Sequence, residues 1–472
     1  MSTLSLILVA VPTVVLACQA GGWAARRVSQ PPVIGEIAVG ILLGPSLLGW
    51  LAPDVQRLLL PPAALPVASV LGNIALLVFL FLIGLELDLP SLRANRRAVA
   101  SVAAGSVLLP LTLGTALALA MYPYLAPPGV QRPPFVLFIA AALSITAFPV
   151  LARILADRGL ATTRLGTFAL ACAAADDALA WCLLIAVTSL ATAASPLDAA
   201  TALVLTVALI AALAAARPLV KRILERAARA SEDLVTVLAV TGLLLAAWTT
   251  DRIGVHPAIG AFLLGATLPR GVLALERSAA RLQHVIVPVL LPLFFVDIGL
   301  RTDLAALPAG QWGWAALVLA VAVIGKLVGA GGAARLAGCD WRWSALVGTL
   351  MNCRGITEIV VLGIGLELGV ISPDLFTIMV LMAVVTTAAT PPSLTVSPAA
   401  PPISPPRPPP TRPSSCCPRP RGSHDDHCPR PTGGCERHRG GDPRPPQHHP
   451  SHRARPGPGG TARPPSGRGH RA

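Results

Sequence analysis

From Leu4 to about Thr390 the chain runs in long apolar blocks separated by short stretches rich in Pro, Gly and Arg. The apolar residues neither alternate nor form one stripe against a polar face. Whole blocks are apolar, as in helices surrounded by lipid or protein on every side. A hydrocarbon layer about 30 Å thick takes roughly 20 such residues per helix, and lipid offers an open strand edge no partner. The pattern therefore predicts an all-α polytopic membrane protein. Its thirteen transmembrane helices are expected near 4–22, 33–51, 66–87, 99–122, 135–155, 166–190, 199–216, 234–250, 256–270, 284–300, 312–332, 344–369 and 374–391. The first block has no Lys or Arg before Arg26, so it lacks the basic start of a secretory signal and reads as the first membrane helix.

Composition agrees with this reading: 54% of the residues are apolar, 13% charged and 4% aromatic. Charge adds an orientation. One alternate set of loops, beginning with Arg26 and Arg27 and ending with Arg335 and Arg342, holds eighteen basic residues. The other set holds four, Arg57, Arg132, Arg252 and Arg301. The basic side is expected to be cytoplasmic, which puts the N-terminus outside and the C-terminus inside. Cys18, Cys172, Cys182, Cys339 and Cys353 lie in or beside apolar blocks without paired spacing and are expected to be small buried residues rather than a disulfide framework.

An inverted repeat is legible as well. The second helix begins Pro32-Val-Ile34-Gly35 and reaches Gly40; the ninth begins Pro257-Ala-Ile259-Gly260 and reaches Gly265 at the same spacing. The third helix ends Gly84-Leu85-Glu86-Leu87-Asp88-Leu89, and the tenth ends Gly299-Leu300-Arg301-Thr302-Asp303-Leu304, with Gly, Leu, Asp and Leu in register. The two matches stand 225 and 215 residues apart and seven helices apart. An odd helix offset makes the copies cross in opposite directions, pairing helices 1–6 with 8–13 and leaving the seventh as a linker. In such proteins the ion site forms where helices break near mid-membrane. The fifth helix carries Ser144-Ile-Thr146-Ala-Phe-Pro149, and its mate carries Asn352-Cys-Arg354-Gly355-Ile-Thr357-Glu358. Pro149 removes an amide donor and Gly355 permits an unwound backbone; an ordinary kink is the alternative for Pro149.

A charge at mid-bilayer costs at least about 2.5–3.5 kcal/mol, so each one requires a reason. Asp176 and Asp177 sit midway along the sixth helix between Ala173-Ala174-Ala175 and Ala178-Leu179-Ala180-Trp181. Consecutive helical residues point about 100° apart, so one carboxylate can face a cavity while the other meets a partner helix. Lys326, in the eleventh helix, is the candidate partner, and it is conspicuous in a chain with 35 Arg and two Lys. A buried ion pair that only fastens two helices is the alternative. Arg354 and Glu358 stand four apart and can pair along one helix face, a structural or gating role. Glu36, Asp297, Glu367 and His256 are weaker candidates, and Glu86, Asp88 and Asp303 are expected at the membrane interface.

Across these residues the sequence resembles the monovalent cation:proton antiporter-2 family, of sodium/hydrogen exchanger fold, and its bacterial members related to plant CHX-type and Kef-type exchangers. The resemblance spans Leu4 to Pro392. It rests on PVIGEIAVGILLGP (32–45), LSITAFPVLARIL (143–155), ADDALAWC (175–182), LPLFFVDIGLRTDL (291–304), Gly325-Lys326 and NCRGITEI (352–359). It implies a transmembrane exchanger domain over 1–391. Within that domain it implies a dimerisation panel at about 1–90 and 234–304, a mobile core at about 98–190 and 312–391 crossed by two broken helices, and the linker helix 199–216. It also implies homodimers, Asp177 as the shared carrier of cation and proton, and Asp176 as the partner of Lys326.

The chemistry of the residues fits that implication. A proton and a desolvated Na+ or K+ can compete for one buried carboxylate, helped by Thr146, Ser144 and backbone carbonyls of the broken helix. Such competition, at a site open alternately to either side, is antiport. A gated cation channel of related architecture is the rival reading. An enzyme is not expected, since the spans hold no phosphate-binding Gly-rich loop, metal-spaced His/Cys set or nucleophile motif. No cofactor is implied, and no metal beyond the transported cation.

The last stretch is different. After Thr390 come 82 residues dominated by Pro, Arg, Gly, Ser and His, with thirteen Arg against four acids, a net +9 of the chain's +14. Residues 392–472 are expected to be a disordered basic tail that cannot build a core. The abrupt change suggests a frameshifted reading of a GC-rich gene. Such a tail can meet anionic lipid, while the lack of stacking aromatics argues against nucleic acid. Cys416, Cys417, Cys428 and Cys435 with His424 and His427 have no standard zinc spacing.

Overall fold

The computed structural model describes residues 3–86, 96–192 and 196–395, and among them all regular structure is helical. The first third of the chain forms α1 (Thr3–Arg27), α2 (Pro32–Leu43), α3 (Leu48–Leu51), α4 (Pro53–Leu59), α5 (Leu65–Glu86) and α6 (Arg96–Leu125). Then follow α7 (Arg132–Ser144), α8 (Phe148–Asp157), α9 (Arg164–Thr192), α10 (Pro196–Ala230), α11 (Glu232–Ile253) and α12 (Pro257–Thr267). The last are α13 (Leu273–Val289), α14 (Leu291–Leu300), α15 (Gln311–Leu336), α16 (Trp341–Met351), α17 (Ile356–Glu367) and α18 (Pro373–Thr395).

Among the described residues eleven spans are long and apolar enough to cross a membrane, and the bent pair α16/α17 makes a twelfth. The crossing expected at 256–270 is the 11-residue apolar helix α12, below that length. Several boundaries differ from expectation. The linker helix does not end at 216; α10 continues to Ala230 through the basic stretch expected to be a loop. Its Arg and Lys residues are good helix formers, and their long side chains reach water from a helix as readily as from a loop. The span 284–300 is two elements, α13 and α14, which meet at Leu290 just before Pro292.

The last helix also runs past 391, to Thr395. Pro392 supplies no amide to the carbonyl of Ala388, and Gln30 Nε2 donates to that oxygen instead at 3.0 Å. A side chain thus replaces the missing helical bond, and the helix carries on through its prolines. Residues 396–472, with the expected tail and its Cys and His, lie outside the described residues, as do Leu87, Asp88 and Leu89 of the first repeat motif.

Close packing explains the glycines of the P-x-I-G-x4-G segments. A Cβ on Gly40 of α2 would strike the Phe295 carbonyl of α14, and one on Gly299 would strike Gly40 in return. A Cβ on Gly265 of α12 would strike the Phe81 carbonyl of α5, and one on Gly84 would meet Phe262 and Gly265. The other glycines turn the opposite way: Gly35 lies against Gly21 of α1, and Gly260 against Ala246 of α11. So α2 is wedged between α1 and α14, while α12 is wedged between α11 and α5. Around the centre of the remaining helices, α6 packs on α7, α9 and α15, α7 on α9, and α15 on α16 and α18.

Adding a branched side chain at these contacts forces two backbones apart, at a cost of about 1–3 kcal/mol or more. Gly40→Val and Gly265→Val are each expected to lower the thermal midpoint of the detergent-purified protein by several degrees. Gly313→Ala, where no heavy atom lies within 4 Å of the new Cβ, should leave the midpoint unchanged or raise it.

Candidate ion-binding site

Two helices are interrupted, and the interruptions meet. The first span ends as α7 at Ser144, runs extended through Ile145, Thr146 and Ala147, and resumes as α8. Pro149 is near the start of α8, where an amide has no helical partner to lose. It therefore stands at the start of the second helical segment, after three non-helical residues. The second break spans Asn352 to Gly355, and the helices on either side are bent by 43°. The amide of Ala147 donates to the Cys353 carbonyl at 3.0 Å, so the two breaks are tied backbone to backbone. Gly355 lies in this unwound stretch, as expected. Its φ of 163° is extended backbone, but a Cβ there would press on the Val150 side chain of α8.

Lys326, fully buried on α15, points its ammonium at the end of α7. It lies 2.5 Å from the Ser144 carbonyl, 2.7 Å from Thr146 Oγ1, 3.0 Å from Ser106 Oγ and 3.1 Å from Asp176 Oδ2. Three protons thus serve four oxygens. Both hydroxyls also reach Asp176 Oδ2, Ser106 at 2.7 Å and Thr146 at 2.9 Å. Thr146 is equally 2.9 Å from the Met351 carbonyl, so its one proton has two acceptors, one of them at the second break. The hydroxyl of Ser144 is turned away, donating to Ala141 of its own helix at 2.7 Å. Ser144 therefore meets Lys326 through its carbonyl.

Asp177 faces elsewhere, as neighbouring positions on one helix must. Its Oδ2 accepts from the amide of Phe148, the first residue of α8, at 3.3 Å. The partly positive end of that helix is thereby aimed at the carboxylate. Oδ1 of Asp177 and Oδ1 of Asp176 are buried without any hydrogen-bond partner among the described residues. Two unpartnered carboxylate oxygens on adjacent residues, shut off from solvent, can hold a proton or a desolvated cation.

Arg354 and Glu358 form a second buried pair, with Nη1 to Oε1 at 2.8 Å. Arg354 lies in the break rather than on a helix face, and it does more than pair with Glu358. Nη1 also donates to the Ala142 carbonyl at 2.9 Å, and Nη2 to the Leu143 carbonyl at 2.7 Å. The negative end of α7 is thus met by two cations, Lys326 and Arg354. Thr387 of α18 closes the second break by accepting from the Arg354 amide at 3.1 Å.

The weaker candidates lie apart from this centre. Arg301 bonds Asp297 at 3.0 Å and approaches Glu367 at 3.8 Å, while His256 Nε2 stands 3.5 Å from Glu367. His256 also caps α12 through Nδ1. Glu36 is on α2, with its backbone carbonyl toward Cys18. Glu86 is exposed at the end of α5, and Asp303 accepts the amides of Ala305 and Ala306. The five described cysteines are free; Cys18, Cys172 and Cys353 are buried as expected, whereas Cys339 is half-buried and Cys182, facing outward from α9, is exposed. Ser106 is the residue the sequence reading missed. It is a single serine in an apolar helix, and only its place beside Gly105, matching Gly325-Lys326 at an offset of 220 residues, marks it.

Fold and site together define a multi-pass membrane protein with buried carboxylates at the crossing of two broken helices. The sequence model of the sodium/hydrogen exchanger transmembrane family matches residues 14–396, and the chain belongs to that family. Among its relatives, the Na(+)/H(+) antiporter NhaS4 of Synechocystis sp. is 39% identical over 398 residues, 83% of this chain and 97% of that protein. Cation/H(+) antiporter 17 of Arabidopsis thaliana is 38% identical over 78% of this chain, which spans 45% of the plant protein's length. The solved structure of the sodium proton antiporter MjNhaP1 from Methanocaldococcus jannaschii shares the fold, with a TM-score of 0.57 at 15% identity, over 83% of this chain and 96% of that one.

Removing one partner of a buried charge pair typically costs about 3–5 kcal/mol, because the other charge is left uncompensated. Arg354→Met is expected to destabilise the protein by that order in detergent melting. Arg354→Met combined with Glu358→Leu should recover part of the loss and no more, since the carbonyls of Ala142 and Leu143 still lack their donor.

Proposed function

We propose that the chain is a secondary active transporter that exchanges a monovalent cation, Na+ or K+, for protons by competition of the two for Asp177, with alternating access. The observation that carries this reading is the pair of free, buried Oδ1 atoms beside an ammonium that satisfies only Asp176. Asp177 holds the proton in one half of the cycle and the cation in the other. Asp176 remains on Lys326 while the site is empty and turns an oxygen to the cation when it enters. Thr146, held at 2.9 Å from Asp176, is placed to follow that change. The relatives named above are antiporters by name, and no observation favours a channel. Catalysis of a covalent reaction has no place in the scheme.

The finer architecture is proposed with it: thirteen crossings in an inverted repeat, the N-terminus outside and the C-terminus inside. The glycine contacts support the repeat, because α2 with α1 and α14 matches α12 with α11 and α5 in exchanged order. So do the breaks, where the Phe148 amide meets Asp177 and the Arg354 amide meets Thr387. In this reading α1, α2, α5 and α11–α14 form the static panel, and the helices around the two breaks form the moving core. A homodimer through the panel in a lipid bilayer completes the proposal; α1 leaves Leu4, Leu8, Leu16 and Trp23 exposed for such contacts.

Asp177→Asn is expected to abolish pH-driven cation exchange in everted vesicles while the protein remains folded; appreciable proton-coupled flux in that variant would refute the assignment. Lys326→Met should change the pH dependence of exchange. An unchanged pH profile with only a lower melting temperature would reduce Lys326 to a structural pair.

A further inference from the structure

Nothing in the exchange scheme yet uses Ser106, although it bonds both members of the central ion pair. Its reach depends on how closely α6 and α15 approach. A Cβ on Gly105 would strike the Gly329 carbonyl, a Cβ on Gly329 would strike that of Gly105, and Gly325 rests on Pro110. Only at that separation can the short serine side chain touch Nζ of Lys326. Pro110 also has no amide to give the Ser106 carbonyl, so α6 is loosened at this turn.

Ser106 is fully buried, with Oγ 2.7 Å from Asp176 Oδ2 and 3.0 Å from Lys326 Nζ. A hydroxyl can accept from an ammonium and donate to a carboxylate at once, which favours both charges only while both are in place. The remaining charged groups acting on this pair are Asp177 from α9, Arg354 from the second break and Glu358 from α17. None of these is bonded to Ser106 among the described residues.

We propose that Ser106 is a positioning residue that holds Lys326 on Asp176 in the cation-free protein and thereby sets how readily a cation displaces the lysine. This rests on the exchange reading above, in which the Lys326–Asp176 contact belongs to the empty site. Loss of the hydroxyl weakens the empty state more than the loaded one, because in the loaded state the pair has already parted. The apparent KM for the cation should therefore fall. Hydrogen bonds to charged groups are strong enough that the change should be about tenfold.

The test is exchange in proteoliposomes with Na+ and with K+ at several pH values, on wild type, Ser106→Ala and Ser106→Thr. The expected result is an apparent KM about tenfold lower in Ser106→Ala, by the same hydrogen-bond strength, a displaced pH profile, and return of both toward wild type in Ser106→Thr. A wild-type or raised KM in Ser106→Ala would overturn the proposal, as would a threonine variant as altered as the alanine one. If the alanine variant is not recovered folded, Ser106→Cys, a poorer hydrogen-bonding group of similar size, carries the same expectation. Asp177→Asn measured alongside separates the two levels. Exchange surviving in that variant sinks the carboxylate reading itself, whereas its loss together with a wild-type KM in Ser106→Ala sinks the role of Ser106 alone.

Discussion

In a bilayer a helix cannot stop halfway without finding partners for the backbone groups it leaves open, and this chain stops two helices among buried residues. Three of the charged side chains at the centre, Lys326, Arg354 and Asp177, answer that constraint. Lys326 and Arg354 bond the carbonyls of Ser144, Ala142 and Leu143 where α7 ends. Asp177 and Thr387 take the amides of Phe148 and Arg354 where the chain resumes helical form or approaches it. The breaks and the charges are therefore one feature. Without the breaks Lys326, Arg354 and Asp177 would lose their backbone partners, and without those charges open groups at the helix ends would lose theirs.

That arrangement leaves a specific remainder. The cations at the end of α7 are answered by Asp176 and Glu358, while Asp177 has a helix amide and no cation bonded to it among the described residues. One carboxylate is therefore free for a mobile charge. Its site is tied across both breaks, through Thr146 to the Met351 carbonyl and through Ala147 to Cys353. In the proposed exchange, a change in the ligation of Asp177 would reach both interrupted helices through these ties, as coupling of binding to rearrangement of the core requires.

Much of this was legible in the sequence because lipid leaves the chain few choices. Asp176, Asp177 and Lys326 stand out since a charge in an apolar block is costly, and the P-x-I-G-x4-G copies stand out since tight helix contacts admit only glycine. Other features were hidden, each for a physical reason. A lone serine in a membrane helix has many innocuous uses, and the partners of Ser106 lie 70 and 220 residues away. The i,i+4 spacing of Arg354 and Glu358 predicts their pairing but not the two further bonds to α7. Gly355 invites an argument from backbone freedom, which agrees with the unwound break, while its closeness to the Val150 side chain is not legible in the sequence. The orientation of the Ser144 hydroxyl follows from its back-bond to Ala141, which no spacing rule supplies.

The central claim is that cation and proton compete for one carboxylate, so neither can cross without the other. The most direct measurement is cation-driven proton movement in proteoliposomes of the purified chain, recorded with the membrane potential clamped by K+ and valinomycin. An imposed Na+ gradient should drive protons the opposite way under the clamp, with a rate that saturates in Na+, and a K+ gradient imposed without valinomycin should do so if K+ is the substrate. Cation flux through the reconstituted protein without opposing proton movement, at any pH tested, would contradict the account.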